Sequence, residues 1–364
     1  MIPQSSEVLL SRMRVGVIGA GSWSTAVHLP ALAAADDVEI VIISSRERDT
    51  AERIGSLFSV AQTTTDWRDV TDAGLDAIVV SSPPNAHEEQ VVAALRSGAH
   101  TLCEKPMALT SAGAQAMLEA SVAAERGLLV GFGWPFSALF ARAKQALDAD
   151  RIGSIEHVEV RLHANVRELL TGTAELDWQQ GGIRSEQSTY RDPAVSGGGA
   201  LTTTLSHGLG MLSWLTGQSL DRVFATPGRN ADPLDLHLAV AGELADGAGV
   251  AISCASTSAR SPGVGWQLAL VGSAGELLLD FAERTLRIDG ARAEVIRLSE
   301  DEAANRPESP TRALIEVARG GEVPAGASGR LGALVVATTE AIAESMRTRV
   351  PVVVDRHGLP ASGW

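Results

Sequence analysis

The segment Val15-Gly16-Val17-Ile18-Gly19-Ala20-Gly21-Ser22-Trp23-Ser24 passes from a short apolar run straight into a glycine turn and then into a helical stretch, Ser22–Ala35. A G-x-G-x-x-S turn set between a strand and a helix is a version of the dinucleotide fingerprint. In that role Gly19 permits the tight turn and Gly21 lets backbone amides approach a pyrophosphate. Ser22 and Trp23 open a helix whose N-terminus favours the anion. Ser24 takes the third-glycine place, where a small residue can still fit between helix and sheet. The bland alternative is a glycine turn opening an ordinary helix.

From Arg14 to Phe132 short β-branched runs alternate with longer Ala- and Leu-rich stretches, a pattern that predicts a parallel sheet with right-handed βαβ crossovers. The runs Val15–Ile18, Glu39–Ile43, Ala77–Val80, Thr101–Cys103 and Leu128–Val130 are too uniformly apolar for half-exposed strands and read as buried ones. Helices are predicted at Ser22–Ala35, Glu47–Ile54, His87–Arg96 and Ser111–Glu125, with Gly98 placed as a helix-terminating glycine.

After Gly133 strand-like runs become more numerous, at Ile155–Val160, Asp221–Thr226, Leu234–Val240, Val250–Thr257, Trp266–Val271, Glu276–Asp280 and Thr285–Ile288. Several alternate polar and apolar residues, as a sheet with one wet face should. Helices at Ala138–Leu147, Thr204–Leu215, Thr311–Ala318 and Leu331–Met346 are expected to cover its other face, and Arg184–Gly199 is expected to be an ordered loop. The fold class is therefore α/β, a doubly wound Rossmann sheet followed by an α+β domain with a large open, mostly antiparallel sheet. The boundaries fall at 1–13 for an N-terminal extension, 14–132 for the dinucleotide-binding domain and 133–364 for the substrate-binding and oligomerisation domain.

Ligands bind at the carboxyl ends of such parallel strands, so the residues leaving them carry the chemistry. After the second strand stands Ser44-Ser45-Arg46, where an Asp or Glu would bind the ribose of NAD. Hydroxyls and a guanidinium suit a 2′-phosphate instead, which favours NADP(H) with NAD(H) also possible. Alternatively Arg46 is a solvated charge starting the next helix. After the third predicted strand come Ser82, Pro83, Asn85 and His87, and after the fourth Glu104-Lys105-Pro106. A lysine held at a strand end by the following proline is restrained, and beside an oxidised nicotinamide its lowered pKa suits proton exchange with a hydroxyl. A Glu104–Lys105 surface pair is the alternative.

A formal net charge of -14 argues against nucleic acid or an anionic membrane as partner, and 45% hydrophobic residues exclude a disordered chain. No stretch approaches the roughly 20 apolar residues that span a bilayer. Cys103 and Cys254 have no partner spacing, and the eight histidines show no H-E-x-x-H, so no disulfide or metal site is expected and a reducing cytoplasm fits. The short patch Val8–Leu10 lacks the features of a signal peptide.

Taken together, Gly19-x-Gly21-x-x-Ser24 with His28-Leu29-Pro30-Ala31-Leu32, Ser82-Pro83-Pro84-x-x-His87, Glu104-Lys105-Pro106, Gly131-Phe132, Gly197-Gly198-Gly199-Ala200-Leu201 leading to His207, and Gly272-Ser273-Ala274-Gly275-Glu276-Leu277 resemble the Gfo/Idh/MocA oxidoreductases, over nearly the whole chain from Arg14. The resemblance implies hydride exchange between a nicotinamide cofactor and a hydroxyl or keto carbon of a sugar, a polyol such as inositol, or a sugar derivative. It implies that Lys105 is catalytic, that Glu104 lies by the cofactor, and that His87 lines the nicotinamide pocket.

Such enzymes commonly carry an Asp four residues ahead of the His on one helix; here that place is Thr203. Threonine cannot act as a carboxylate base or hold a histidinium by charge, so proton transfer is expected to fall to Lys105 and His207. A core histidine satisfied by backbone is the alternative for His207. Gly133-Trp134-Pro135-Phe136 departs from the Asn and Arg often found there. Tyr190, the only tyrosine, either packs, binds substrate or donates a phenolic proton. A Tyr-x-x-x-Lys dehydrogenase does not fit, because Ala194 stands four residues after Tyr190. The rival of another class is a nicotinamide-binding sensor without catalysis, motivated by Thr203. The one-sided second sheet suggests a homodimer or homotetramer.

Overall fold

The computed structural model describes residues 12–173, 183, 187–229, 234–258, 265–303, 306–360 and 362. Of the expected N-terminal extension, residues 1–11 lie outside the described residues, and Met13 already begins the first strand. Six parallel strands, β1 Met13–Ile18, β2 Val38–Ser44, β3 Gln62–Thr64, β4 Ala77–Val80, β5 His100–Cys103 and β6 Leu128–Val130, form a sheet ordered β3-β2-β1-β4-β5-β6. The reversal of strand order between β1 and β4 is the switch point at which doubly wound sheets bind nucleotides. The sheet is covered on both sides: Ile18, Ile78 and Val80 face one core, and Val15, Val17, Val79 and Leu102 face another.

Nine strands form the second sheet: β7 Ile155–Ala164, β8 Leu220–Pro227, β9 His237–Leu244, β10 Gly249–Ser256, β11 Gly265–Gly272, β12 Gly275–Asp280, β13 Thr285–Asp289, β14 Glu294–Arg297 and β15 Val352–Val353. Their order is β14-β13-β12-β11-β7-β10-β9-β8-β15, with only β7 and β10 parallel. In β7 and β10 exposed and buried residues alternate, so one face is open and the other carries the core.

Several expectations need correction. β9 starts at His237 rather than Leu234, and β3, β14 and β15 are additions to the expected strands, being short edge strands with polar or exposed residues. Arg184–Gly199 is not a plain loop, because helices occupy Gln187–Arg191 and Pro193–Ser196. The helix Ser309–Ala318 does not cover the second sheet. Leu314 and Val317 pack with Leu29, Leu32 and Val17 on the first sheet, so residues beyond 133 help build the first core. The helix expected at Ser22–Ala35 contains a π turn at Ser24–His28, and the helix Ser206–Thr216 is preceded by another at Leu201–Leu205.

Aromatic side chains seal the junction beyond β6. Phe140 is fully buried, with ring centroids 5.3 Å from Trp134, 6.2 Å from Trp214 and 5.1 Å from Phe281. Phe140→Ala removes the centre of that cluster and should cost about 3–5 kcal/mol in equilibrium denaturation. An effect under about 1 kcal/mol would mean that the junction is not held by this packing.

Candidate active site

Strand register gathers the sequence-predicted residues. Ser44 pairs with Ile18, Ile18 with Val80, Val80 with Cys103, and Cys103 with Val130, so five strands end in one row. Ser45, Gly19, Ser81, Glu104 and Gly131 therefore leave the sheet side by side. Gly19 has φ +79°, and a Cβ there would lie 2.5 Å from the Ser82 nitrogen, so the turn is pressed against the next loop. Gly21 is the opposite case. A Cβ there would meet only the Gly19 carbonyl at 3.9 Å, which leaves its outer side open to an approaching group.

Beyond Gly21 the helix starts, with Thr25 N–H donating to the Gly21 carbonyl at 3.0 Å, and the first amides of a helix have no partner within it. The turn thus fits a diphosphate. Ser24 is fully buried and its hydroxyl donates to the Gly19 carbonyl at 3.3 Å, a bond that glycine could not make. Ser45 is half-buried, Arg46 and Asn85 are exposed, and the Ser82 hydroxyl donates to Gln90 Oε1. Pro83 precedes the short 3-10 turn Pro84–Ala86.

His87 differs from its expected place. It is fully buried, with Nδ1 2.9 Å from the Pro106 carbonyl and Nε2 2.8 Å from the Ser82 carbonyl. Its ring ties the two loops together instead of offering an edge to a cofactor. Burial pushes its pKa down, and the two carbonyls oppose that push.

Glu104 is the hub of the site, and it does not form a surface pair with Lys105. Its Oε1 accepts the Trp23 indole N–H at 2.9 Å and lies 3.1 Å from His28 Nε2, while Oε2 accepts the Lys105 backbone N–H at 3.1 Å. His28 is fully buried, and its Nδ1 lies 2.7 Å from the Thr311 hydroxyl. Burial alone would raise the Glu104 pKa. The hydrogen bond and charge of His28, the ammonium of Lys105 and the Trp23 hydrogen bond outweigh it, and the pKa falls to about 2. Trp23 thus holds Glu104 through its indole N–H.

Lys105 precedes a cis Pro106, and its ammonium crosses to the second domain, donating to the Thr203 carbonyl at 3.2 Å. Burial lowers its pKa, against the charge of Glu104. Thr203 lies in the π turn Leu201–Leu205, and its hydroxyl donates to the Gly199 carbonyl at 2.6 Å. His207 follows Thr203 by four residues, at the start of the helix Ser206–Thr216, and its ring lies 6.1 Å from that of Phe132. Burial first and Lys105 second push its pKa down to about 3, and the charge of Glu104 opposes them. Tyr190 packs against Leu170, Leu234 and Leu236, and burial raises its pKa, as does the charge of Glu104.

Sequence reasoning leaves out three contributors. His28 stands in the resembling motif without a role, and Thr311 is 283 residues from it. Asp235 accepts the Gly199 N–H at 2.9 Å and the Leu201 N–H at 2.7 Å, pinning the glycine run where a Cβ on Gly199 would lie 2.0 Å from the Asp235 carbonyl. No local pattern marks any of these pairings. Among the described residues no group of three or more His, Cys, Asp or Glu could hold a metal ion, and no helix is long and apolar enough to cross a membrane.

A family model described as an oxidoreductase family with an NAD-binding Rossmann fold matches residues 13–132, and a GFO/IDH/MocA C-terminal domain model matches residues 140–278. The myo-inositol 2-dehydrogenase of Thermotoga maritima is 28% identical over 222 residues, 58% of this chain and 58% of that protein. The match thus spans under two thirds of that relative's length. Among solved structures, a levoglucosan dehydrogenase in complex with NADH and levoglucosan superposes with a TM-score of 0.79 at 20% identity, covering 94% of this chain and 100% of that one. A Lactobacillus casei scyllo-inositol dehydrogenase with bound NAD(H) and scyllo-inositol gives 0.76 at 19% identity, covering 94% and 99%. At such identities the two structures share the fold with this chain.

The sign of the Glu104 pKa sets a prediction. A carboxylate depressed on folding stabilises the protein fully above its ordinary value near 4.5, and that contribution is lost as the pH falls toward 2. Glu104→Gln, which leaves His28 and Trp23 facing an amide, should cost about 3 kcal/mol at neutral pH. The gap from wild type should close between pH 4.5 and pH 2 in pH-resolved thermal denaturation. A gap independent of pH would remove the ionised carboxylate as its cause.

Proposed function

The chain belongs to the GFO/IDH/MocA oxidoreductase family, and from that premise we propose that it is an NADP(H)-preferring dehydrogenase acting on a hydroxyl or keto carbon of a sugar, polyol or inositol-like substrate. The observation that carries this reading is the bond from Lys105, beside the nucleotide turn, to the Thr203 carbonyl of the second domain. It puts a partly desolvated amine at the junction where a cofactor and a small polar substrate would meet.

Gly19, Gly21 and Ser22 would hold the diphosphate at the helix N-terminus, with Ser24 bracing the turn through the Gly19 carbonyl. Ser45 and Arg46 would take the ribose and its 2′-phosphate, and Ser82, Pro83 and Asn85 would border the nicotinamide side. When bound, the nicotinamide supplies hydride exchange at the substrate carbon. Lys105, with its pKa lowered by burial, exchanges the hydroxyl proton, and Glu104 fixes its backbone through Oε2. His207, Thr203 and Tyr190 would contact substrate. The choice of NADP rests on Ser45 and Arg46 alone. The open face of the second sheet is the surface we assign to a homodimer or homotetramer, and two buried free thiols, Cys103 and Cys254, suit a reducing cytoplasm.

Incubation with NADP+ or NAD+ and a panel of inositols, aldoses and keto-sugars, followed by nicotinamide absorbance, tests the reading. Cofactor binding without turnover on any member would favour a sensor instead. Lys105→Met should keep cofactor binding, measured by calorimetry, and lower kcat by about 100-fold or more; unchanged kcat would refute its role. Arg46→Asp should shift the kcat/KM ratio toward NAD+, and a wild type that already prefers NAD+ would overturn the cofactor assignment.

A further inference from the structure

His207 sits in an unusual slot for a residue that exchanges protons. Its ring lies 5.5 Å from the Trp266 ring at 38° and 6.1 Å from the Phe132 ring at 68°, so aromatic rings from β11 and from the segment after β6 flank the half-buried residue. Among the described residues the charged groups acting on it are Lys105 and, more weakly, Glu104, and its own helix, Ser206–Thr216, carries none. Thr203 offers it no carboxylate, and the Thr203 hydroxyl is already committed to the Gly199 carbonyl at 2.6 Å. A proton added to this imidazole would create a second cation beside the Lys105 ammonium with no compensating anion in contact among the described residues.

The ring's hydrogen bonding decides which nitrogen carries the one remaining proton. Nδ1 is buried with no hydrogen-bond partner among the described residues. Burying an orphaned N–H is rarer and more costly than burying an unused lone pair, so Nδ1 bears the lone pair and Nε2 bears the hydrogen. Nε2 is then the nitrogen left to address a ligand, and it addresses it as a donor.

We infer that His207 acts as a neutral hydrogen-bond donor to the substrate oxygen through Nε2–H, leaving Lys105 as the proton carrier; this division of roles rests on the dehydrogenase function proposed above. In oxidation of a secondary alcohol the O–H bond breaks and its proton goes to the lone pair of Lys105 Nζ. The C–H pair leaves as hydride to the nicotinamide. The Nε2–H bond of His207 stays intact, and its hydrogen bond strengthens while the oxygen carries negative charge. In reduction the same donor polarises the carbonyl, and the Lys105 ammonium returns the proton. Trp266 and Phe132 are positioning residues in this scheme, packing against the ring and disfavouring its charged form.

The test reads the imidazole directly. In full-length protein with 15N-labelled histidine, two-bond 1H–15N correlation spectra recorded from about pH 5 to about pH 9 cover the range in which an ordinary histidine titrates. The His207 signals, identified by their loss in His207→Gln, should stay flat with the Nε2–H pattern. Thr203→Asp should bring a titration into that range. Titration of wild-type His207 with a midpoint of about 6 or higher, or a proton on Nδ1, overturns the inference.

On whichever member of the polyol and sugar panel is turned over, His207→Gln, which keeps an N–H donor, should hold kcat within about ten-fold, whereas His207→Phe should lose about 100-fold or more, the scale of one removed transition-state donor. Equal losses in the two variants would also overturn it. Absence of turnover on the whole panel, with a flat Nε2–H spectrum, would remove the dehydrogenase function while leaving the neutral imidazole standing.

Discussion

The row Ser44, Ile18, Val80, Cys103 and Val130, held in register across β2, β1, β4, β5 and β6, is the constraint on which the site depends. Parallel pairing leaves no freedom in where the next residues emerge, because a slip of one residue would turn every buried side chain to the wrong face. Backbone bonds continue the row past the strands: Ser81 N–H to the Ile18 carbonyl at 2.9 Å, Glu104 N–H to the Val80 carbonyl at 2.9 Å, and Gly131 N–H to the Cys103 carbonyl at 2.8 Å. The glycine turn, the His87 brace and the Glu104 carboxylate are consequences of that alignment.

Glu104 converts the alignment into chemistry. A buried carboxylate is costly unless it is paired and hydrogen-bonded, and here both oxygens are engaged by groups from the nucleotide helix and the Lys105 backbone. The same negative charge works against the desolvation of the Lys105 ammonium. The lysine is thereby held between two tendencies, burial that favours the free amine and a neighbouring anion that favours the ammonium, which is the balance a proton-exchanging group needs.

The legible parts of the molecule are those written in local pattern. Strands buried on both faces, such as Ala77–Val80 and Leu128–Val130, appear in the sequence as uninterrupted apolar runs and can be placed to the residue. Gln62–Thr64 and Glu294–Arg297 carry no such run, because edge strands need bury little. The helix Ser309–Ala318 announces an apolar face but not the surface that receives it, so pattern alone assigns it to the wrong sheet. In the site, a strand end followed by proline marks Lys105 as restrained but leaves a surface pair with Glu104 open, and only the resemblance of the whole motif set gives it a role. The bonds of His28 to Thr311 and of Asp235 to Gly199 and Leu201 join residues far apart in sequence, and nothing near either residue encodes its partner.

Two π turns, Ser24–His28 and Leu201–Leu205, account for how helices from different domains deliver groups to one place. One extra residue in a helical turn rotates the rest of the helix by about 100° and disturbs the regular backbone ladder. In the first turn the rotation ends at His28, which meets Glu104 at 3.1 Å; in the second the Thr203 carbonyl accepts Lys105 at 3.2 Å. Each π turn thus supplies one polar contact to the Glu104–Lys105 centre, the His28 ring in the first and the Thr203 carbonyl in the second.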